Sequence, residues 1–329
     1  MKARTKTALI FGISGQDGAY LAQLLLARGY TVHGTSRDRE ISTFDNLRHL
    51  GIHDAVALHS VAITDFRSVL QVLADVCPDR VFNLAAQSSV GLSFTQPIET
   101  IESIMLGTMN VLEAVRFLRS DTRLFHAASG ECFGNTSAGP ATESTPFHPR
   151  SPYAVGKAAA FWAVANYREA YGLFACSGLL FNHESPLRPA RFVTQKIVRG
   201  AADIAEKRSD QLPLGNLDIS RDWGWSPEYV EAMLRMLDLD APQDLVIATG
   251  EMHAIREFAE AAFGYFGLDW RKHVETDPAL FRPSDIAVSV GCSARAEQVI
   301  GWRPTVRFAQ VVRKLIEAEL ARRAGRNAA

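Results

Sequence analysis

Tyr153-Ala-Val-Gly-Lys157 sets a phenol and an ammonium four residues apart, a spacing that brings both to one face of a helix. A phenol of pKa about 10 is a poor base at neutral pH, but a cation beside it favours the phenolate. Such a phenolate can take the proton of a hydroxyl while hydride leaves the same carbon. Upstream, Ser129-Gly130-Glu131 adds a hydroxyl able to hydrogen-bond the reacting oxygen, and a carboxylate. Hydride exchange at a single carbon has no use for that extra acid–base group, whereas elimination does. Once a ring carbon is a ketone, the neighbouring C–H is acidic; a carboxylate can remove its proton, and the acid so formed can protonate a departing hydroxyl. The competing view makes Glu131 a surface charge at a strand end, since charged side chains are mostly exposed. Cys132, its neighbour, reads as packing.

These side chains need a frame. Gly12-Ile-Ser14-Gly15-Gln16-Asp17-Gly18 lies between an apolar strand, Thr7 to Gly12, and an amphipathic helix, Ala19 to Arg28. In that setting, missing side chains at Gly12 and Gly15 admit a pyrophosphate to the backbone N–H groups, and the helix offers its positive end. An ordinary glycine turn is the plainer alternative, and the flanking strand and helix argue against it. The same alternation continues through Thr31 to Ser36, a helical Phe66 to Val76, Arg80 to Ala85, a helix from about Thr100 to Leu118, and Leu124 to Ala128. A helix from Tyr153 to Tyr171 and a strand from Phe174 to Phe181 complete it. The rhythm predicts an α/β fold, a doubly wound parallel sheet with right-handed crossovers. After Asn182 the prolines Pro186 and Pro189 break the pattern. The reading divides the chain into a dinucleotide-binding domain over 1–182, with segments around 221–253 returning to it, and a mainly substrate-binding α/β region over 183–329. Ala321 to Ala329 is expected to fray.

Composition narrows the partners. The 329 residues are 47% hydrophobic, enough for a sizeable core, and 35 Lys and Arg balance 36 Asp and Glu. That balance supplies no field to gather nucleic acid or an anionic membrane, so a small-molecule substrate is expected. The opening Met1-Lys-Ala-Arg-Thr-Lys-Thr runs into Ala8-Leu-Ile-Phe without the apolar stretch and cleavage site of a signal peptide, and no apolar run is long enough to span a membrane. A cytoplasmic location is expected. Four scattered cysteines fit reduced thiols, with Cys77, Cys176 and Cys292 as core filler. No metal is called for.

The glycine spacing, GxxGxxG, resembles the short-chain dehydrogenase superfamily. The resemblance directs attention to the end of the second strand, where an NAD enzyme places a carboxylate for the ribose and this chain has Ser36-Arg37. An arginine can pair with a 2′-phosphate, so NADP is expected, with Asp38 as the counter-argument. Asp65 stands where relatives hold the adenine ring, and a helix N-cap before Phe66-Arg-Ser-Val suits it equally. Tyr153 and Lys157, opening a helix after the strand that ends at Ser129, match the superfamily's catalytic positions, where Lys157 and the cofactor's positive nicotinamide together are expected to favour the phenolate.

Over about Thr7 to Trp302 the chain resembles the GDP-mannose 4,6-dehydratases. The blocks that carry this include Gly12 to Leu21, Phe82-Asn-Leu-Ala-Ala-Gln-Ser88, Ser151 to Lys157, Phe181-Asn-His-Glu-Ser-Pro186, Leu214-Gly-Asn-Leu-Asp218, Arg221-Asp-Trp-Gly224 and Tyr229-Val-Glu-Ala-Met233. The resemblance implies that Gly12, Ser14, Gly15, Gln16, Asp17, Gly18, Arg37, Asp65, Leu84, Ala85 and Ala86 hold the cofactor together with Tyr153 and Lys157. It implies that Asn182, Arg188, Lys196 and Arg221 hold a nucleotide diphosphate, with Val193, Asn216 and Arg282 near the base and its ribose. Ser88, Leu214 and Asp285 complete the substrate set. Arginine forks suit phosphate oxygens, although each arginine taken alone reads as a solvated surface charge.

Departures from the family are Ser129 for threonine, Gly130 for a hydroxyl residue, Asp38 for a second arginine, Leu187 for the first of two arginines, and Asp285 for glutamate. The expected reaction is oxidation of the sugar of GDP-mannose at C4 with Tyr153 as base, loss of water across C5 and C6 through Glu131, and reduction at C6. Room at Gly130 keeps another GDP-sugar, such as a GDP-heptose, open. A C4 epimerase or reductase, and a sensor without catalysis, are the other readings. Relatives pair through the helices near Thr100 to Leu118 and Tyr153 to Tyr171, so a homodimer or homotetramer is expected.

Overall fold

The computed structural model describes residues 4–119 and 121–327. Its centre is a seven-stranded parallel sheet. In chain order its first six strands are β1 (Thr7–Phe11), β2 (Thr31–Ser36), β3 (Ala57–Ser60), β4 (Arg80–Asn83), β5 (Arg123–Ser129) and β6 (Ala175–Leu180). The remaining strands are β7 (Asn182–Glu184), β8 (Leu212–Leu214), β9 (Ser220–Trp225), β10 (Leu245–Ile247), β11 (Met252–Ala254), β12 (Val274–Thr276) and β13 (Val288–Ser289). The large sheet runs β10-β6-β5-β4-β1-β2-β3. β4 and β6 are buried along their whole length, the mark of strands covered on both faces. Between β1 and β4 the chain order reverses, opening a crevice at the strands' carboxyl ends. Gly12, Leu84, Ser129 and Asn182 sit near that edge, each just at or past the end of β1, β4, β5 or β6.

Local chemistry sets the helix bounds. Pro152–Tyr171 begins after Ser151, whose hydroxyl accepts from the Ala154 N–H at 3.1 Å, has Pro152 in its first turn, and stops at Gly172 with φ +69°. The helix expected over Thr100 to Leu118 starts earlier, at Pro97, and continues through a wider π turn at Glu102–Leu106 into Gly107–Phe117. Ile104 of that turn packs on Gly156, where an added Cβ would sit 3.4 Å from it.

The chain after Asn182 is more regular than its prolines suggest. Val193–Ala205, Ile255–Tyr265 and Phe308–Asn327 enclose a second core around Ile197, Trp223, Phe258, Phe263 and Leu315. Two small sheets border it: β11-β9-β13, with β7 also paired to β9, and β12-β8. Ser226–Met236 packs against Gln16–Ala27, and β10 pairs with β6. The fraying expected from Ala321 does not occur within the described residues. Arg323 is 7% exposed and pairs with Glu319, Asp203 and Glu206, which holds the last helix to Asn327; residues 328–329 lie outside the description.

The cysteine expectation also needs correction. Cys132 and Cys176 are buried and Cys292 is half-buried, but Cys77 is exposed at the end of Phe66–Val76. Among the described residues no helix is long and apolar enough to cross a membrane, and no cluster of three or more His, Cys, Asp or Glu could hold a metal.

Candidate active site

The glycine loop is built for close approach. Gly12 has φ +85°, and a Cβ there would lie 2.9 Å from the backbone of Ala85; a Cβ on Gly18 would lie 2.4 Å from the Gly12 carbonyl. These two glycines fasten loop, helix and β4 together. Gly15 differs, since a Cβ there meets nothing nearer than 3.4 Å. It leaves the first turn of Gln16–Ala27 open, with no side chain capping it. The loop therefore fits a pyrophosphate: bare backbone N–H groups at a helix N-terminus, with no Cβ over them.

Gln16 and Asp17 also tie this loop to the rest of the molecule. Gln16 donates to the His183 carbonyl at 3.2 Å and accepts from the Ser185 hydroxyl at 2.8 Å. Asp17 accepts from the Ser226 hydroxyl at 2.8 Å and lies 2.8 Å from His183 Nε2. Burial pushes the Asp17 carboxyl up, but the charge and hydrogen bond of His183, with Ser226 and Gln16, outweigh it and hold the group well below the usual carboxylate range. The other ring nitrogen of His183 faces the Phe181 carbonyl at 2.7 Å, so both nitrogens face acceptors.

At the end of β2, Arg37 is exposed, and its one ion pair among the described residues is a 3.4 Å contact with Glu99. The Asp38 carboxylate turns back onto its own loop and accepts from the Glu40 and Ile41 N–H groups at 2.8 and 3.4 Å. Asp65 caps Phe66–Val76, accepting from the N–H groups of Arg67 and Ser68 at 3.2 Å. The structural role weighed for Asp65 is thus present.

Ser129, Glu131, Tyr153 and Lys157 line one cleft of about 440 Å³. So do Ser88, Asn182, Arg188, Val193, Lys196, Leu214, Asn216, Arg221, Arg282 and Asp285. Asp17, Leu84 and Ala86 line it on the side of the glycine loop, while Gly12, Ser14, Gly15, Gln16, Gly18, Arg37, Asp65 and Ala85 are outside its lining. The Ser129 hydroxyl accepts from the Glu131 N–H at 3.2 Å and starts the short 3₁₀ turn Gly130–Phe133. Glu131 is half-buried and faces the cleft, which the surface-charge alternative does not accommodate.

Lys157 Nζ donates to the Ala127 carbonyl at 2.6 Å and lies 5.8 Å from the centre of the Tyr153 ring. Burial lowers the Lys157 ammonium to about 8. Burial also raises the Tyr153 phenol, against a smaller opposing effect of the Ser129 hydroxyl. Within the chain desolvation wins, so the phenolate expected from Lys157 together with a positive nicotinamide is not favoured by the protein groups by themselves. Cys132 is fully buried and its thiol is pushed up to about 12, as suits packing.

Two departures from the family acquire physical reasons. Gly130 does not open space around the sugar, because a Cβ there would meet the Phe181 ring at 2.9 Å; the room once assigned to a larger sugar is filled by that ring. Leu187 points into the main core, 8% exposed, so it is a packing residue outside the cleft.

Arg221 is no solvated charge. It is 4% exposed and donates to the carbonyls of Ile286 and Ser220 at 2.7 and 3.0 Å and to Asp285 at 3.1 Å. Burial lowers its pKa, while Glu131 and Asp285 oppose that shift. Arg188 lies 3.2 Å from the buried Glu184 and 4.0 Å above the Phe192 ring. Burial pushes the Glu184 carboxyl up, with Arg188 acting the other way. Sequence reasoning passed over His183, Glu184, Arg191 and Phe192 in the cleft wall. The Asn-His-Glu-Ser-Pro block held the signal for His183 and Glu184, and the family-like run Phe192-Val-Thr194 that for Phe192; Arg191 stands in neither.

A parallel sheet reversing at β1 and β4, with a glycine loop on one side of the crevice and a Tyr–Lys helix on the other, defines an extended short-chain dehydrogenase/reductase. Known structures agree: UDP-glucose 4-epimerase of Thermus thermophilus, solved with NAD, matches at TM-score 0.83 and 26% identity over 95% of this chain and 98% of that one. RMD from Pseudomonas aeruginosa, solved with NADPH, matches at TM-score 0.79 and 25% identity over 97% and 100%. Within this class the match narrows. The family model for GDP-mannose 4,6 dehydratase covers residues 9–315, and GDP-mannose 4,6 dehydratase 2 of Arabidopsis thaliana is 45% identical over 96% of this chain and 87% of its own length. The chain belongs to the GDP-mannose 4,6-dehydratase family.

Proposed function

We propose that this chain dehydrates GDP-mannose to GDP-4-keto-6-deoxymannose, using NADP. The observation that carries the reading is the presence of Glu131 in the same cleft as Ser129, Tyr153 and Lys157. When bound, the dinucleotide supplies a hydride acceptor and, once reduced, a hydride donor. Tyr153 takes the O4 proton as C4 is oxidised, and Ser129 hydrogen-bonds that oxygen. Lys157, anchored on Ala127, keeps a positive charge beside the phenol. Glu131 then removes the C5 proton and delivers it to O6 as water leaves; C6 takes hydride and C5 takes a proton, the one Tyr153 removed from O4 closing the count. Arg188, Lys196, Arg221 and Asn182 hold the diphosphate, while Val193, Leu214, Asn216, Arg282 and Asp285 surround the nucleoside, and Ser88 borders the sugar.

NADP is supported by the exposed Arg37 beside an Asp38 that is satisfied by its own loop. The division at residue 182 is supported by the second core around Trp223 and Phe258, and the return near 221–253 by the pairing of β10 with β6. Self-association as a homodimer or homotetramer is supported by apolar side chains exposed on the two helical segments of interest, among them Ile101, Leu106, Val155 and Trp162 at 37, 44, 47 and 63%. Free cysteines support a reducing, cytoplasmic setting. Incubation of the purified protein with NADP and GDP-mannose tests the reading by mass spectrometry. A product lighter by one water is expected; an isomer of unchanged mass, or one changed only by two hydrogens, would assign an epimerase or a reductase instead.

A further inference from the structure

The loop between β7 and helix Val193–Ala205 carries two arginines on one aromatic ring. The guanidinium carbons of Arg188 and Arg191 lie 4.0 and 5.5 Å from the centre of the Phe192 ring. The loop is a built one: the Arg188 N–H donates to the Ser185 carbonyl and the Phe192 N–H to the Pro189 carbonyl, both at 3.1 Å. Arg188 has a carboxylate behind it in Glu184. Among the described residues Arg191 makes no ion pair, and neither does Lys196, one helical turn further on in the same cleft wall. Helix Val193–Ala205 begins here with no side chain capping its first N–H groups, so its positive end adds to the same field. Like charges gathered on one ring repel unless an anion lies between or beside them.

We propose that Arg191 is a second guanidinium on the substrate's diphosphate, working with Arg188 as a pair. Arg188 is held by Glu184 as well as by Phe192, whereas Arg191 has the Phe192 ring and, among the described residues, no carboxylate, which leaves its fork for an anion. A diphosphate presents two phosphates, so each guanidinium can take its own, whereas a monophosphate presents one. The proposal rests on the reading of the substrate as a nucleoside diphosphate sugar.

The test uses the full-length protein with NADP, in wild-type, Arg191→Gln and Arg191→Lys forms. GDP and GMP are titrated by calorimetry, and GDP-mannose turnover is measured in parallel. Losing one charge-assisted contact should weaken GDP binding and raise KM about tenfold, with kcat falling far less. GMP binding should change less than about threefold, and Arg191→Lys should recover only part of the GDP affinity, because an ammonium keeps the charge but not the fork. GDP affinity and KM within about twofold of wild type overturn the proposal, as does an equal loss for GDP and GMP, which would mark a structural role. A wild-type protein that binds no GDP overturns both this proposal and the substrate reading. If GDP binds but GDP-mannose is not consumed, the dehydratase reading fails, and the titrations still decide Arg191.

Discussion

Replacing Gly130 by alanine probes how the cleft is walled. An added Cβ would lie 2.9 Å from three atoms of the Phe181 ring, about half an ångström inside the 3.4 Å edge of ordinary contact. The ring cannot easily retreat: a Cβ on Gly291 would meet it at 2.5 Å, and it stacks on Phe133 with centroids 6.1 Å apart. Overpacking of this kind costs about 1–3 kcal/mol. Alanine returns about 0.4–1 kcal/mol by restricting the unfolded chain, because Gly130 needs no left-handed backbone. The net loss should be about 0–2.6 kcal/mol, with a middle value of about 1, read as a lower denaturant midpoint at unchanged slope. Phe181 also lines the cleft, so kcat/KM should fall with the stability. Adding Phe181→Leu should then cost less in the Gly130→Ala background than alone, by about 1 kcal/mol of coupling. Equal midpoints for Gly130→Ala and wild type, with no coupling, would refute the account of this wall.

Tyr153→Phe should lower kcat by about 10²–10⁴-fold while leaving the KM for GDP-mannose close to wild type, since the phenol is assigned to the chemistry. Lys157 has its pKa lowered by burial to about 8, so its ammonium is present below that pH and lost above it. The kcat/KM profile should therefore fall as pH rises through about 8, and Lys157→Arg should move that limb upward; a wild-type profile flat to about pH 9.5 contradicts this. Asp17 has a folded-state pKa held below its unfolded value, so its stabilisation is complete above the unfolded pKa and lost as pH falls toward the folded one. Asp17→Asn should be destabilised by about 1–3 kcal/mol at neutral pH, with the gap from wild type closing below about pH 4. A gap that stays constant into acid would sink that assignment.

Periodicity made the large sheet legible. Thr31–Ser36 and Phe66–Val76 fall where their apolar spacing puts them, because strands covered on both faces and amphipathic helices both write their burial into sequence. The bounds of β3 were not legible, although a third strand ahead of Asp65 was expected, since Ala57–Ser60 is four residues of mixed character at a sheet edge. Nor was the ordered last helix, whose Arg and Ala composition reads as a tail until Arg323 is seen folded onto Asp203, Glu206 and Glu319. In the cleft, residue type indicated the chemistry of Tyr153, Lys157 and Glu131 but not the balance of their environment. Spacing places Lys157 beside Tyr153, while desolvation of both depends on the closing of β5, β6 and the helix around them. Gly130 misled for a related reason: a missing side chain is seen in sequence, and the Phe181 ring that occupies its space is not.

The central claim is that Glu131 carries the proton from C5 to O6. The most direct measurement is a single turnover of Glu131→Gln with stoichiometric NADP and GDP-mannose, following reduced-nicotinamide absorbance and sugar mass in one sample. The account predicts that reduced nicotinamide accumulates with a 4-keto sugar that has kept its water, whereas wild type ends with oxidised nicotinamide and a product one water lighter. Loss of water by the variant at the wild-type rate would contradict it.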